Sequence, residues 1–300
     1  MRRVGGVLVH ELGIAEIRQL ENLIEDLLDN WLDPAGSALY AHAWELVARV
    51  PAGLRKALYE FRTVEPGAVQ LVRGTHVDDA SLGVLPTSLE DSDPGRRTRR
   101  EELLLALVAM CLGEPFGRAG EQQGRMVRNV LPPATADEQP NWRTADGGGP
   151  QRADYFGLFA LRCSGGARVP LAEVKDVRLS EEHAEVLRQG RFAVGGHTGP
   201  VLRGAADDPY LLLDPFRAAA DGAAAAAALT ALRDGLEAAR HDLVLEPGSV
   251  VVVDNFRAVH ACPGRPGHWL KQILVARDLR TPRGPRAVPG SRVLDSDERP

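Results

Sequence analysis

A mainly β architecture with flanking helices, a jelly-roll sandwich, is the fold class that three observations predict. Six short strings, 67–74 (GAVQLVRG), 125–131 (RMVRNVL), 154–163 (DYFGLFALRC), 209–214 (PYLLLD), 248–255 (GSVVVVDN) and 269–279 (WLKQILVARDL), are β-branched or aromatic and bounded by Gly, Pro or Asp. Few helical segments separate them, which argues for a sandwich over alternating βαβ units. No repeat at the periods typical of solenoids or propellers is present.

The helices follow from spacing. Ile14, Ile17, Leu20, Ile24, Leu27 and Leu28 recur at helical intervals, so the spacing predicts an amphipathic helix over 14–28 laid against a core. Residues 101–112 read as a second helix stopped by Gly113, with Cys111 as a small buried residue. The low-complexity run about 217–240 is rich in alanine, the best helix former, and Leu229, Leu232 and Leu236 give it a packing stripe. It reads as a third helix inserted between strands. The Pro- and Gly-rich stretch 131–151 is long for a connection, and reads either as a lid over a site or as a plain surface loop. The expected organisation is one domain over 1–280, with a helical part at about 1–64, followed by a flexible tail at 281–300.

Composition narrows the function classes. A net charge of −5 and a pI near 5.9 leave no footprint for nucleic acid, and the basic residues Arg96 to Arg100 follow an acidic stretch as a solvated loop. The longest apolar run, Ala223 to Leu229, is far short of a membrane span. Cys111, Cys163 and Cys262 are widely separated with no CxxC spacing, which fits a reducing cytoplasm better than a disulfide framework. The short apolar patch after Met1 is too brief for a signal-peptide core.

Residues 67–79 (GAVQLVRGTHVDD), 112–132 (LGEPFGRAGEQQGRMVRNVLP), 151–163 (QRADYFGLFALRC), 209–217 (PYLLLDPFR) and 245–261 (LEPGSVVVVDNFRAVHA), then 269–280 (WLKQILVARDLR), stand in the order of similar strings in one oxygenase branch. Over roughly 65–280 the chain resembles the clavaminate synthase-like iron(II)/2-oxoglutarate oxygenases, near the arginine and lysine hydroxylases of antibiotic biosynthesis. The resemblance implies a double-stranded β-helix with its active site in the mouth of the barrel. It also implies iron held by two histidines and a carboxylate, and 2-oxoglutarate held by arginine.

Those positions have changed. The His-x-Asp/Glu motif falls on Arg143, Thr144 and Ala145, and no histidine occurs between His76 and His183. Asp146 is one residue beyond the carboxylate position, where a regular extended chain would turn it to the other face. The distal histidine falls on His260. The two co-substrate arginine positions hold His268 and Gln272, and Arg277 lies an odd number of residues from Gln272, facing away on a regular strand. The expectation from these departures is that iron and 2-oxoglutarate are lost and that no cofactor is retained.

The candidate site keeps its alternatives open. Arg143 and His260 are the candidate catalytic pair, facing one cavity and binding an anionic group; the plain readings are a solvated arginine and a satisfied core histidine. A Cys262–His260 nucleophile is the weaker possibility beside an inert small Cys262. Asp146, Gln122, Asp214, His268 and Gln272 are candidates to line the substrate pocket, with Asp214 equally a turn-forming residue before Pro215. The expected function is a metal-independent, non-oxidative enzyme of specialised metabolism, of lyase, cyclase or isomerase type, acting on an amino-acid-like small molecule. Two alternatives stay open: a catalytically inactive pseudo-oxygenase that binds a ligand or partner protein, and an iron(II)/2-oxoglutarate hydroxylase with rearranged ligands.

Overall fold

The computed structural model describes residues 2–4, 6–30, 32–63, 67–86, 97–131, 141–146, 152–194, 197–213, 219–261, 266–280 and 291–294. The chain opens with a hairpin, β1 (Arg2–Val4) and β2 (Val7–Glu11), and continues through helices α1 (Ile14–Asp29), α2 (Ala43–Arg49) and α3 (Ala52–Thr63). Next come β3 (Val69–Arg73), the short α4 (Asp79–Leu82), α5 (Arg99–Leu112), β4 (Glu114–Arg118), β5 (Val127–Val130), β6 (Tyr155–Arg162) and β7 (Ala167–Glu173). Helix α6 (Glu181–Arg188) precedes small ribbons made by β8 (Phe192–Val194), β9 (His197–Gly199), β10 (Leu202–Gly204), β11 (Pro209–Leu211) and β12 (Ala219–Ala220). After α7 (Ala223–Ala238) the chain returns to the barrel with β13 (His241–Leu245), β14 (Val250–Asp254), β15 (Ala258–His260) and β16 (Trp269–Ala276), and ends with β17 (Val293–Leu294).

Two sheets make the barrel. The large one runs β1-β2-β3-β14-β6-β16-β4-β17, with β5 also on β16, and the small one runs β13-β7-β15. Nearly every pairing is antiparallel, so each strand alternates between an inner and an outer face. On β16, Leu270, Leu274 and Ala276 join β6 and β7 residues such as Phe156, Leu158, Val169 and Leu171 in the core between the sheets. The alternate residues Trp269, Ile273 and Val275 face outwards and pack with Leu20, Leu23, Leu27, Leu58 and Leu105 of α1, α3 and α5. A third apolar cluster lies on the outer side of the small sheet, where Leu229, Leu232 and Leu236 of α7 meet Leu187, Ala172 and Val259. The alanine-rich run is therefore a helix because its leucine stripe has a sheet to cover.

Gly113 ends α5 as expected, for a Cβ there would run into the Ala276 carbonyl. In the stretch read as a tail, Val293–Leu294 instead pairs in parallel with Gly117–Arg118, and the amide of Ala119 donates to the Leu294 carbonyl at 2.8 Å. Beyond the six strand strings and three helices expected, the structure adds β1, β2, β4, β7 to β10, β12, β13, β15 and β17 and the helices α2, α3, α4 and α6, of which α2 and α3 lie in the helical part expected at about 1–64. Most of the 131–151 stretch, including the glycines 147–149, lies outside the described residues, as do Asp214 and Cys262.

One charge pair joins helix and sheet. Lys271 projects from the outer face of β16, 1% exposed, and its Nζ donates to Glu102 Oε1 of α5 at 2.7 Å. Thr98 Oγ1 donates to the same carboxylate at 2.9 Å. Removing Lys271 leaves the buried Glu102 with Thr98 and only a distant guanidinium, Arg125 at 3.8 Å, so Lys271→Met is expected to cost about 3 kcal/mol in urea unfolding. The double variant Lys271→Met/Glu102→Gln is expected to recover most of that loss.

Candidate functional site

The small sheet carries the site on its open edge. Arg143 continues the sheet beyond β15: its amide donates to the His260 carbonyl at 2.8 Å and the His260 amide returns to Arg143 O at 3.0 Å. Directly opposed residues of an antiparallel pair project to the same face, so the two side chains are neighbours. Thr144 fixes the next step, with its amide and hydroxyl both donating to Leu213 O, at 2.9 and 3.0 Å. The Ala145 amide donates to Asn255 Oδ1 at 2.7 Å, while Asn255 Nδ2 donates to the carbonyls of Ala145 and Ala153 at 3.0 and 2.8 Å.

His260 is buried and its ring lies against Phe156, centroids 4.5 Å apart. Its Nδ1 is buried without a hydrogen-bond partner. Burial first, and the Arg143 guanidinium second, push its pKa down to about 3, so the ring is neutral at ordinary pH. Arg143 is half-buried, and among the described residues no ion pair to it is formed.

The other candidates are spoken for or stand apart. Asp146, at φ 65°, does not pair with Arg143. Both its oxygens accept from Arg118 Nε and Nη2 at 2.7 Å in a buried fork, and Oδ2 also accepts from the Ala153 amide at 2.9 Å. Gln122 is locked to the backbone of Asn129, giving and accepting one bond of 2.8 Å each. Gln272 faces inwards on β16 and accepts from Arg128 Nη2 at 3.0 Å. Arg128 also pairs with Glu121, and burial lowers its pKa to about 10. His268 is buried just before β16. Arg277 turns outwards as the strand parity predicts, its Nε donating to Tyr155 Oη at 2.8 Å.

Sequence reasoning missed three buried cations. Arg118 and Arg128 share strand parity with inward-facing residues such as Phe116, and that alternation was the signal available. Arg152 lies 4.2 Å over the Phe256 ring, donates to Leu211 O at 2.5 Å, and leaves Nη2 unpartnered.

The iron that the family resemblance implies needs two imidazoles and a carboxylate on one face. The corresponding positions here offer a guanidinium with no lone pair to give, a methyl group and one imidazole. Asp146 is held away by Arg118, and among the described residues no group of three or more His, Cys, Asp or Glu is placed to hold a metal. These residues do not fit the ion. Among the described residues no helix is long and apolar enough to cross a membrane.

No family model matches the chain. It is 30% identical to enduracididine beta-hydroxylase of Streptomyces hygroscopicus, over 87% of this chain and 90% of that protein. It is 29% identical to L-ornithine/L-arginine 3-hydroxylase of Catenulispora acidiphila, over 91% and 95%. Among solved structures, the non-heme iron oxygenase OrfP with Fe and L-Arg superposes with a TM-score of 0.83 at 29% identity, over 95% of this chain and 99% of that one. The same oxygenase with Fe and alpha-ketoglutaric acid gives 0.83 at 28% identity, with the same coverage.

These likenesses correct two expectations: that of a metal-independent, non-oxidative enzyme, and that of a barrel with no cofactor. The relatives are hydroxylases, and the solved neighbours hold Fe with an amino acid or with the co-substrate, so the chemistry they point to is oxidative and cofactor-dependent. A handful of changed side chains does not set the reaction class against a likeness that spans most of the chain.

The buried imidazole has a pH signature. Unfolded, it takes a proton near pH 6.5; folded, only near pH 3, so between those values the unfolded state binds more protons and stability falls as pH falls. The slope due to His260 is expected to approach about 1.4 kcal/mol per pH unit. Urea unfolding of wild type and His260→Phe across pH 4 to 7 is expected to show that slope in the difference between them.

Proposed function

Because the chain belongs to the clavaminate synthase-like iron(II)/2-oxoglutarate oxygenases, near the arginine hydroxylases, we propose that it is an amino-acid hydroxylase of that family with rearranged ligands. In this reading its barrel takes an amino-acid-like small molecule, and its chemistry is the oxidative, cofactor-dependent kind to which the relatives point. The observation that carries the ligand class is the β-bridge of Arg143 with His260, on a barrel that superposes on OrfP bound to Fe and L-Arg with a TM-score of 0.83. A half-buried guanidinium with no ion pair among the described residues, beside a neutral imidazole, suits a carboxylate, which every α-amino acid carries. That OrfP binds L-Arg, L-canavanine and L-homoarginine supports the ligand class.

The residues act by positioning. Arg143 meets the carboxylate, His260 presents its buried Nδ1 as a neutral hydrogen-bonding group, and Phe156 and Asn255 hold the two in place. Arg118 takes both oxygens of Asp146 in a buried fork, so the acid does not compete for Arg143.

The second reading is a ligand-binding member that does not oxidise, favoured by Arg143 and Ala145 standing at the positions of the first histidine and the carboxylate. One experiment separates the two: calorimetric titration with L-Arg, L-ornithine and L-homoarginine, alongside turnover with iron(II) and 2-oxoglutarate supplied. The first reading expects succinate formed in step with hydroxylated amino acid, and amino-acid binding weakened by about 1.5–3 kcal/mol in Arg143→Ala with the fold intact. Saturable binding without succinate moves the assignment to the second. Binding that is unchanged in Arg143→Ala removes Arg143 from either.

A further inference from the structure

Outside the barrel, a cleft of about 40 Å³ opens between α1, α5 and the end of β3. Its walls are apolar, with Ile17, Leu20 and Ile24 from successive turns of α1, Leu104 from α5 and Phe159 from the outer face of β6, and the exposed imidazole of His76 stands at its rim. One polar group is out of keeping with them. Glu101 is only 5% exposed, lines the cleft, and its Oε2 has no hydrogen-bond partner. Burial raises its pKa, the mark of a carboxyl that lacks a partner for its charge.

The charge around the cleft has a sign. Glu21 adds a second acid, Arg100 is already paired with Glu25, and Thr75 gives its proton to the Gly248 carbonyl, leaving its oxygen to accept. A group that suits this rim donates several hydrogen bonds and carries positive charge. What suits the walls is a short apolar body.

We propose that this cleft is a second binding site, for a small primary ammonium with a short alkyl or aryl body, its nitrogen at Glu101 and its body against Ile24, Leu104 and Phe159. An ammonium has three donors, matching Glu101 Oε2, Thr75 Oγ1 and the Glu21 carboxylate at the entrance. The site is independent of the Arg143 pair, yet close to it through one strand: Phe159 touches the cleft from one face of β6 and Phe156 touches His260 from the other.

The probe is n-butylammonium, with n-butanol as its neutral counterpart, followed by NMR shifts of the full-length protein. Saturable binding of the ammonium, at least ten-fold tighter than the alcohol, is expected, falling ten-fold or more in Glu101→Gln and unchanged in Arg143→Ala. If Glu101→Gln does not fold, Ile17→Trp at the mouth of the cleft is expected to block the same shifts. Absence of saturable binding, equal binding of the alcohol, or indifference to both variants overturns the proposal.

Discussion

A single buried amide holds the site together. Asn255 is fully shielded from solvent, and its side chain accepts from Ala145 and donates to the carbonyls of Ala145 and Ala153. Buried backbone groups without partners are costly, and these segments lie off the regular ladders that would otherwise satisfy them. The amide thus fixes where residues 143–146 stand relative to β14 and β15. Asn255 holds Ala145 and Leu213 holds Thr144, and together they set Arg143 opposite His260.

Around that anchor the barrel mouth is strongly cationic for a buried place. Arg118, Arg128 and Arg152 are each less than a tenth exposed, and each is stabilised differently: a carboxylate fork, an amide with a rim acid, and an aromatic face. Guanidinium tolerates such settings better than ammonium because its charge is spread and weakly hydrated.

The fold was largely legible because strand parity and helix period survive in short strings. β3, β6, β14 and β16 fall within residues singled out for alternation or β-branching, and α7 follows its leucines. The N-terminal hairpin was hidden, since its few apolar residues gain meaning only from pairing with the distant β3. Helix α3 was there to be read in Leu54, Ala57, Leu58 and Phe61. At the site, the alignment put Arg143 and His260 at the positions of metal donors, and the structure joins the two by a β-bridge. The alignment could not foresee Asp146, because parity assumes an extended chain and a left-handed residue breaks it. Arginines inside strands were overlooked because charge is ordinarily read as surface.

The parallel pairing of β17 with β4 has a consequence for the solution behaviour of the protein. Without it β4 would close the large sheet as an open row of amides and carbonyls, a template for a strand from another molecule. The segment Ser291–Leu294 occupies that row from residues far along the chain, with Leu294 buried and Val293 packed on Gly124, where a larger residue would collide. The last strand acts as a selvedge, a finished border that keeps one barrel from being sewn to the next.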